Sequence, residues 1–194
     1  MTSATASTPR APEPDLRDAL TLLRATRRLC AVAATFLAVQ LFGNLYEEIV
    51  SNTAGIAHPR VGALVGELAP GSPLYYYLPW APLGVVLVAV LAVRLPRLGA
   101  PAWVTRRVRG ALAALAVGVV AKIVLITQVN PRFRDPAGDV ETLRAWAVTW
   151  ALGNGVAIVA VAAALALLLT WRARLLDGAA AHRPEREAGL ALSG

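Results

Sequence analysis

Gly110-Ala-Leu-Ala-Ala-Leu-Ala-Val-Gly-Val-Val-Ala-Lys-Ile-Val-Leu-Ile-Thr-Gln-Val129 is twenty residues long and holds a single charge, Lys122. A helix rises about 1.5 Å per residue, so about 20 apolar residues cross a hydrocarbon core about 30 Å thick. A surface helix of a soluble domain shows one apolar stripe and a polar back; this segment is apolar all round. It predicts a membrane span. Three further segments have the same length and character: about Leu29 to Val50, Leu74 to Val93 and Ala145 to Trp171. The expected fold is all-α, a four-helix transmembrane bundle over residues 17–175, with spans near 29–50, 74–93, 110–129 and 145–171. Residues 1–16, rich in Ser, Thr, Ala and Pro, read as a disordered tail and 176–194 as a flexible one.

Composition points the same way. The chain is 57% hydrophobic and 16% charged, against roughly 45–50% and about 25% in soluble domains. The net charge of +7 suits nucleic acid only if the basic groups form a continuous face. Here they alternate with long apolar runs and read as topology determinants, so the expected partner is the lipid bilayer and not nucleic acid. Cys30 has no second thiol to pair with, and His58 and His182 are too scattered for a histidine-rich metal site. No phosphate-binding glycine loop, nucleophile elbow or zinc spacing is present, and neither metal nor cofactor is expected. Nothing in the residues assigns an oligomeric state.

The flanks of the spans set the orientation. Arg17, Arg24, Arg27 and Arg28 precede the first span, and Arg94, Arg97, Arg106, Arg107 and Arg109 lie between the second and third with no acid among them. Arg172, Arg174, Arg183 and Arg186 follow the fourth. On the other side Arg60, Arg132, Arg134 and Arg144 are mixed with Glu67, Asp135, Asp139 and Glu141. The positive-inside rule therefore predicts a multi-pass protein of the cell membrane with both termini cytoplasmic. Asp15 to Arg28 reads as a helical lead-in on the membrane surface, and Pro59 to Leu68 as a short amphipathic segment in the first outer loop. Tyr75, Tyr76, Tyr77 and Trp80 suit an interfacial belt. Pro131 predicts that the third span ends at Asn130, and Asp139 is placed to cap the helix entering the fourth.

Polar residues inside the spans are the functional signal. Gln40, Asn44 and Glu47 or Glu48 recur at helical spacing late in span one. Lys122 stands about 20 Å from Arg109, Asn154 about 15 Å from Arg144 and Asn44 about 24 Å from Arg28, all in the outer half of the bilayer. A lysine near mid-bilayer costs about 2.5–3.5 kcal/mol on insertion scales and should meet an anion. Glu47 or Glu48 is the natural partner. Such a group either lines a water-accessible pocket with amides from Asn44 and Asn154, or forms a structural ion pair, or leaves Lys122 snorkelling outward. Trp146, Trp150 and Asn154 share one face of span four, suited to stacking a flat ligand or to ordinary packing, with Trp146 equally fitted to the belt. Asn154 is equally fitted to an interhelical hydrogen bond. Asn130 and Arg132 are candidates for an anion at the outer mouth.

Four short motifs then occur in order: Asn44-Leu-Tyr-Glu-Glu48 late in span one, Ser72-Pro-Leu-Tyr-Tyr-Tyr77 opening span two, Asn130-Pro-Arg132 closing span three, and Trp150-x-x-x-Asn154 in span four. Together they resemble the anthrone-oxygenase-like family of small four-helix membrane proteins, over roughly residues 30–170. The resemblance implies oxidation of anthrone-type polyketides with dioxygen and no cofactor, on a hydrophobic aromatic or lipid-like molecule held in an outer-half pocket. On this reading Glu47 or Glu48 is the base, Lys122 stabilises an oxyanion, and Asn44, Tyr46, Trp150, Asn154, Asn130 and Arg132 bind substrate. The chain departs from the family pattern at Ala157, where relatives carry an arginine three residues after the Asn; that group is either lost or replaced by Lys122. The competing expectation is a non-catalytic binding or assembly protein whose polar cluster only locks the bundle. A transporter is disfavoured, because the spans show neither breaks nor repeats.

Overall fold

A computed structural model describes residues 16–60 and 80–181, with side chains placed at 24–60 and 80–170. The tail at 1–15, the amphipathic segment beyond Arg60, the tyrosines at 75–77 and the carboxy-terminal residues past 181 lie outside the described residues. Among the described residues all regular structure is helical. The helices are α1 (Leu16–Tyr46), α2 (Thr53–Ala57), α3 (Trp80–Arg97), α4 (Ala102–Val124), α5 (Asn130–Phe133) and α6 (Val140–Ala181). A π-helical segment, Glu47–Asn52, joins α1 to α2, and a second, Leu125–Val129, joins α4 to α5. Four continuous helical rods result, Arg24–Ala57, Trp80–Arg97, Ala102–Phe133 and Val140–Thr170, each long and apolar enough to cross a membrane.

The boundaries differ from expectation in instructive ways. The lead-in before Arg28 is not a separate surface helix but the start of α1, which runs unbroken from Leu16. Ser51 to Ala57 is helical and not loop, so the first rod emerges well past a 30 Å core. The third rod does not stop at Asn130. Pro131 normally clashes with the carbonyl four residues back; here the widened π turn just before it relieves that clash, Asn130 stays helical at φ −53° and ψ −48°, and the helix continues to Phe133. Arg94 and Arg97 end α3, while Arg106, Arg107 and Arg109 sit in the first turns of α4, so the basic loop shrinks to residues 98–101. The fourth helix continues to Ala181, six residues into the stretch read as a tail.

That short link is a Schellman stop. Gly99 adopts φ +69°, Ala100 donates to the Leu95 carbonyl at 3.0 Å, and Gly99 donates to that of Pro96 at 3.1 Å. At the other end of the bundle Asp139 caps α6 as expected: its Oδ1 accepts from the amides of Glu141 and Thr142 at 3.0 and 2.9 Å.

Neighbouring rods pack in the order one–two–three–four–one, leaving one and three, and two and four, as diagonal pairs. The cytoplasmic-side half of the bundle, as the sequence orients it, is a continuous apolar core of Cys30, Leu37, Val88, Leu91, Val108, Leu115 and Leu168. Lipid competes equally for such side chains, so helix contact there depends on close approach of small residues. Gly118 of the third rod supplies one such approach: a Cβ there would meet Ala160 Cβ at 3.3 Å. Phe42, Ile49, Leu152 and Val159 face outward as a lipid-contacting surface.

Candidate functional site

The polar residues gather where the two π segments stand. In an α-helix a residue four positions on lies just past one turn, so the row Gln40, Asn44, Glu48 drifts around the axis. A π turn holds more residues per turn and reverses that drift. Asn52 therefore returns to the side of Glu48, to which its Nδ2 donates at 2.7 Å. Thr53 Oγ1 donates to the Glu48 carbonyl at 3.3 Å, taking up an acceptor at the widened turn. Single π turns inside α-helices occur frequently at functional sites.

Glu47 opens the first π segment and Lys122 lies just before the second. Lys122 Nζ donates to Glu47 Oε2 at 3.0 Å, with side-chain exposures of 19% and 10%. The pair spans the bundle diagonally from rod one to rod three. Lys122 does not snorkel outward; its Nζ also lies 5.5 Å from the centroid of the buried Trp150 ring. Asn154 Nδ2 joins the group from rod four, donating to Glu48 Oε2 at 2.8 Å and to the Asn44 carbonyl at 3.3 Å. Asn44 and Asn154 are fully enclosed. Thus Asn44, Glu47, Glu48, Lys122, Trp150 and Asn154 are brought together.

The remaining candidates stand elsewhere. Tyr46 is 51% exposed and turned to the outer surface of rod one beside Phe42, away from the cluster, because it precedes Glu47 by about 100° of helix. Arg132 lies over the Trp146 ring at 4.7 Å, which gives both residues a partner at the outer rim. Asn130 is buried at the end of the second π segment. Arg144, read as a topology marker, donates Nε to the Ile56 carbonyl at 3.2 Å and ties rod four to the end of rod one. Asn52 was not singled out by the sequence, although it extends the four-residue series beyond Glu48.

A hollow of 460 Å³ opens between rods two and three, lined among the described residues by Val85, Val86, Leu115, Val119, Ile123 and Ala157, with Gln40 and Lys122 as its polar groups. It is not the pocket expected: Asn44, Glu47, Trp150 and Asn154 do not line it. Gln40 is 9% exposed and its Oε1 has no hydrogen-bond partner. Ala157, the position that departs from the family pattern, borders the same hollow as Lys122. Among the described residues no three His, Cys, Asp or Glu side chains converge as a metal site. No protein-family model, curated protein or solved structure matches the chain.

Proposed function

We propose that this is an anthrone-oxygenase-like membrane protein that takes a hydrophobic aromatic or lipid-like molecule sideways from the bilayer into the hollow between rods two and three. The observation that carries this reading is the double position of Lys122, which borders the hollow and also holds Glu47 at 3.0 Å. An apolar wall with one ammonium and one amide suits a flat ligand bearing a phenolic or enolic oxygen. An oxyanion on such a ligand would be stabilised by Lys122, and Glu47 lies one hydrogen bond behind it as proton acceptor. Ala157 leaves room in the wall where the family pattern would put a cation, and Lys122 supplies one from the facing rod.

A second reading has its own observation. Glu47 meets Lys122 directly, as a clasp between diagonal rods would require, and buried pairs of this kind also serve helix register. The two readings separate experimentally. Purified protein incubated with an anthrone probe should consume dioxygen and retain the probe through gel filtration. Glu47→Gln should retain the probe and lose dioxygen uptake, whereas Leu115→Trp, which fills the hollow, should lose both. Absence of probe binding and uptake by the folded wild-type protein would leave the clasp.

A further inference from the structure

Glu47, Glu48 and Lys122 carry two negative charges and one positive. Lys122 bonds Glu47. Glu48 Oε2 instead accepts from two amides, Asn52 at 2.7 Å and Asn154 at 2.8 Å. Amide dipoles solvate a carboxylate without cancelling its charge. One net negative charge inside a bundle of low dielectric is strongly unfavourable unless something compensates it.

Two further atoms point to what that is. Asn44 and Asn154 are 0% exposed, and the Oδ1 of each lacks a hydrogen-bond donor. The orientation of both amides is set by their nitrogens. Asn44 Nδ2 donates to the Gln40 carbonyl at 3.0 Å, and Asn154 Nδ2 donates to Glu48 and to the Asn44 carbonyl. Exchanging nitrogen and oxygen in either amide would set oxygen against oxygen. The two free oxygens are therefore acceptors that need a donor or a cation, and Asn154 joins them to the Glu48 carboxylate through its own contacts.

We propose that Asn44, Glu48 and Asn154 form a site for a monovalent alkali-metal cation. Carboxylate and amide oxygens are the donors that hard cations take. A single positive charge brings the cluster to neutrality, whereas a divalent ion would leave an excess charge in the same low dielectric. A water molecule would satisfy the amide oxygens and leave the charge. This site is separate from the hollow and does not depend on the oxygenase reading.

The test uses the full chain purified in detergent with choline chloride as the only salt. NaCl or KCl replaces choline at constant ionic strength while thermal unfolding is followed. Tm should rise with the logarithm of alkali cation concentration once that exceeds the dissociation constant. Glu48→Gln, which removes the uncompensated charge, should melt above wild type in choline and lose the response. Asn44→Ala, which removes one ligand oxygen, should raise the concentration for half-effect at least tenfold and remains informative if Glu48→Gln does not fold. Equal Tm in choline, sodium and potassium overturns the proposal, as does an undiminished response in Glu48→Gln. A Tm that rises with acid in choline but ignores alkali cations also overturns it and assigns the compensation to a proton.

Discussion

Replacing Lys122 with Met preserves the reach of the side chain and removes the only lysine in the chain. Glu47 and Glu48 are then left without an ammonium. Removing one member of a buried pair costs about 3–5 kcal/mol. The 19% and 10% exposures of this pair favour the lower end, about 3 kcal/mol. For a domain of this size each kcal/mol moves Tm by about 2–4 °C, so Lys122→Met should melt about 6–12 °C below wild type. Glu47→Gln is expected to behave differently. Its amide oxygen still accepts from Lys122, and Glu48, within electrostatic range of the ammonium, becomes the sole counter-charge. The loss should be about 1 kcal/mol, that of an ordinary hydrogen bond.

The double variant retains Glu48 alone and the same net charge as wild type, so it should recover part of the Tm lost in Lys122→Met. Fluorescence-detected gel filtration after heating gives all four values in detergent. A Lys122→Met protein melting within about 1 °C of wild type would refute the argument, because the expected shift is at least about 6 °C. So would a Glu47→Gln protein as damaged as Lys122→Met, because it would show that geometry and not charge balance holds the cluster.

The remaining predictions concern the outer cap and the topology. Asp139 takes hydrogen bonds from the Thr142 hydroxyl and amide, which hold its pKa below the ordinary 3.8. Bonds that favour the charged form contribute fully above that value and fade as pH falls through the lower folded one. Asp139→Ala should therefore lower Tm at neutral pH, and the gap to wild type should close as pH falls below 3.8; a pH-independent gap would show that the cap is not the cause. The described side chains of Arg24, Arg27, Arg28, Arg94, Arg97, Arg106, Arg107 and Arg109 all lie at one end of the bundle, with Glu47, Glu48, Asp135, Asp139 and Glu141 toward the other. We infer that the basic end is cytoplasmic. Green fluorescent protein fused after Gly194 should fluoresce and alkaline phosphatase at the same place should be inactive, the reverse pattern overturning the orientation.

The spans were legible because spanning a bilayer is a demand on length and polarity that a linear sequence states directly. Their ends were not. Pro131 carries the ordinary signature of a helix stop, and only the π turn before it lets the third rod continue. The pairing of Lys122 was legible for a related reason: a lone ammonium between apolar neighbours has few tolerable partners, and Glu47 was one of two. Which residues share a face with it was harder. Tyr46 belongs to the same short motif as Glu47 yet faces outward, and Asn52 joins the cluster only because the π segment turns it back. The expected pocket failed for the same reason, since the face that rod four offers to the hollow depends on packing. Gly153 meets Leu125 so closely that a Cβ would lie 2.6 Å from Leu125 Cδ2.

These details bear on whether the cluster is more than a clasp. A clasp that only fixes helix order works best as a balanced pair with every acceptor satisfied, since any remainder weakens the bundle it is meant to hold. Here Glu47 and Lys122 would suffice. The chain adds Glu48, two fully buried asparagines with unfilled acceptors and a buried glutamine at an apolar hollow. It places the carboxylates in one π segment and the lysine beside another, on rods that face each other diagonally. Each addition costs stability in a fold whose apolar half is already continuous. A charge remainder and unfilled oxygens are what a site shows when its stable form includes something besides protein, and they make ligand and cation binding the first properties to measure.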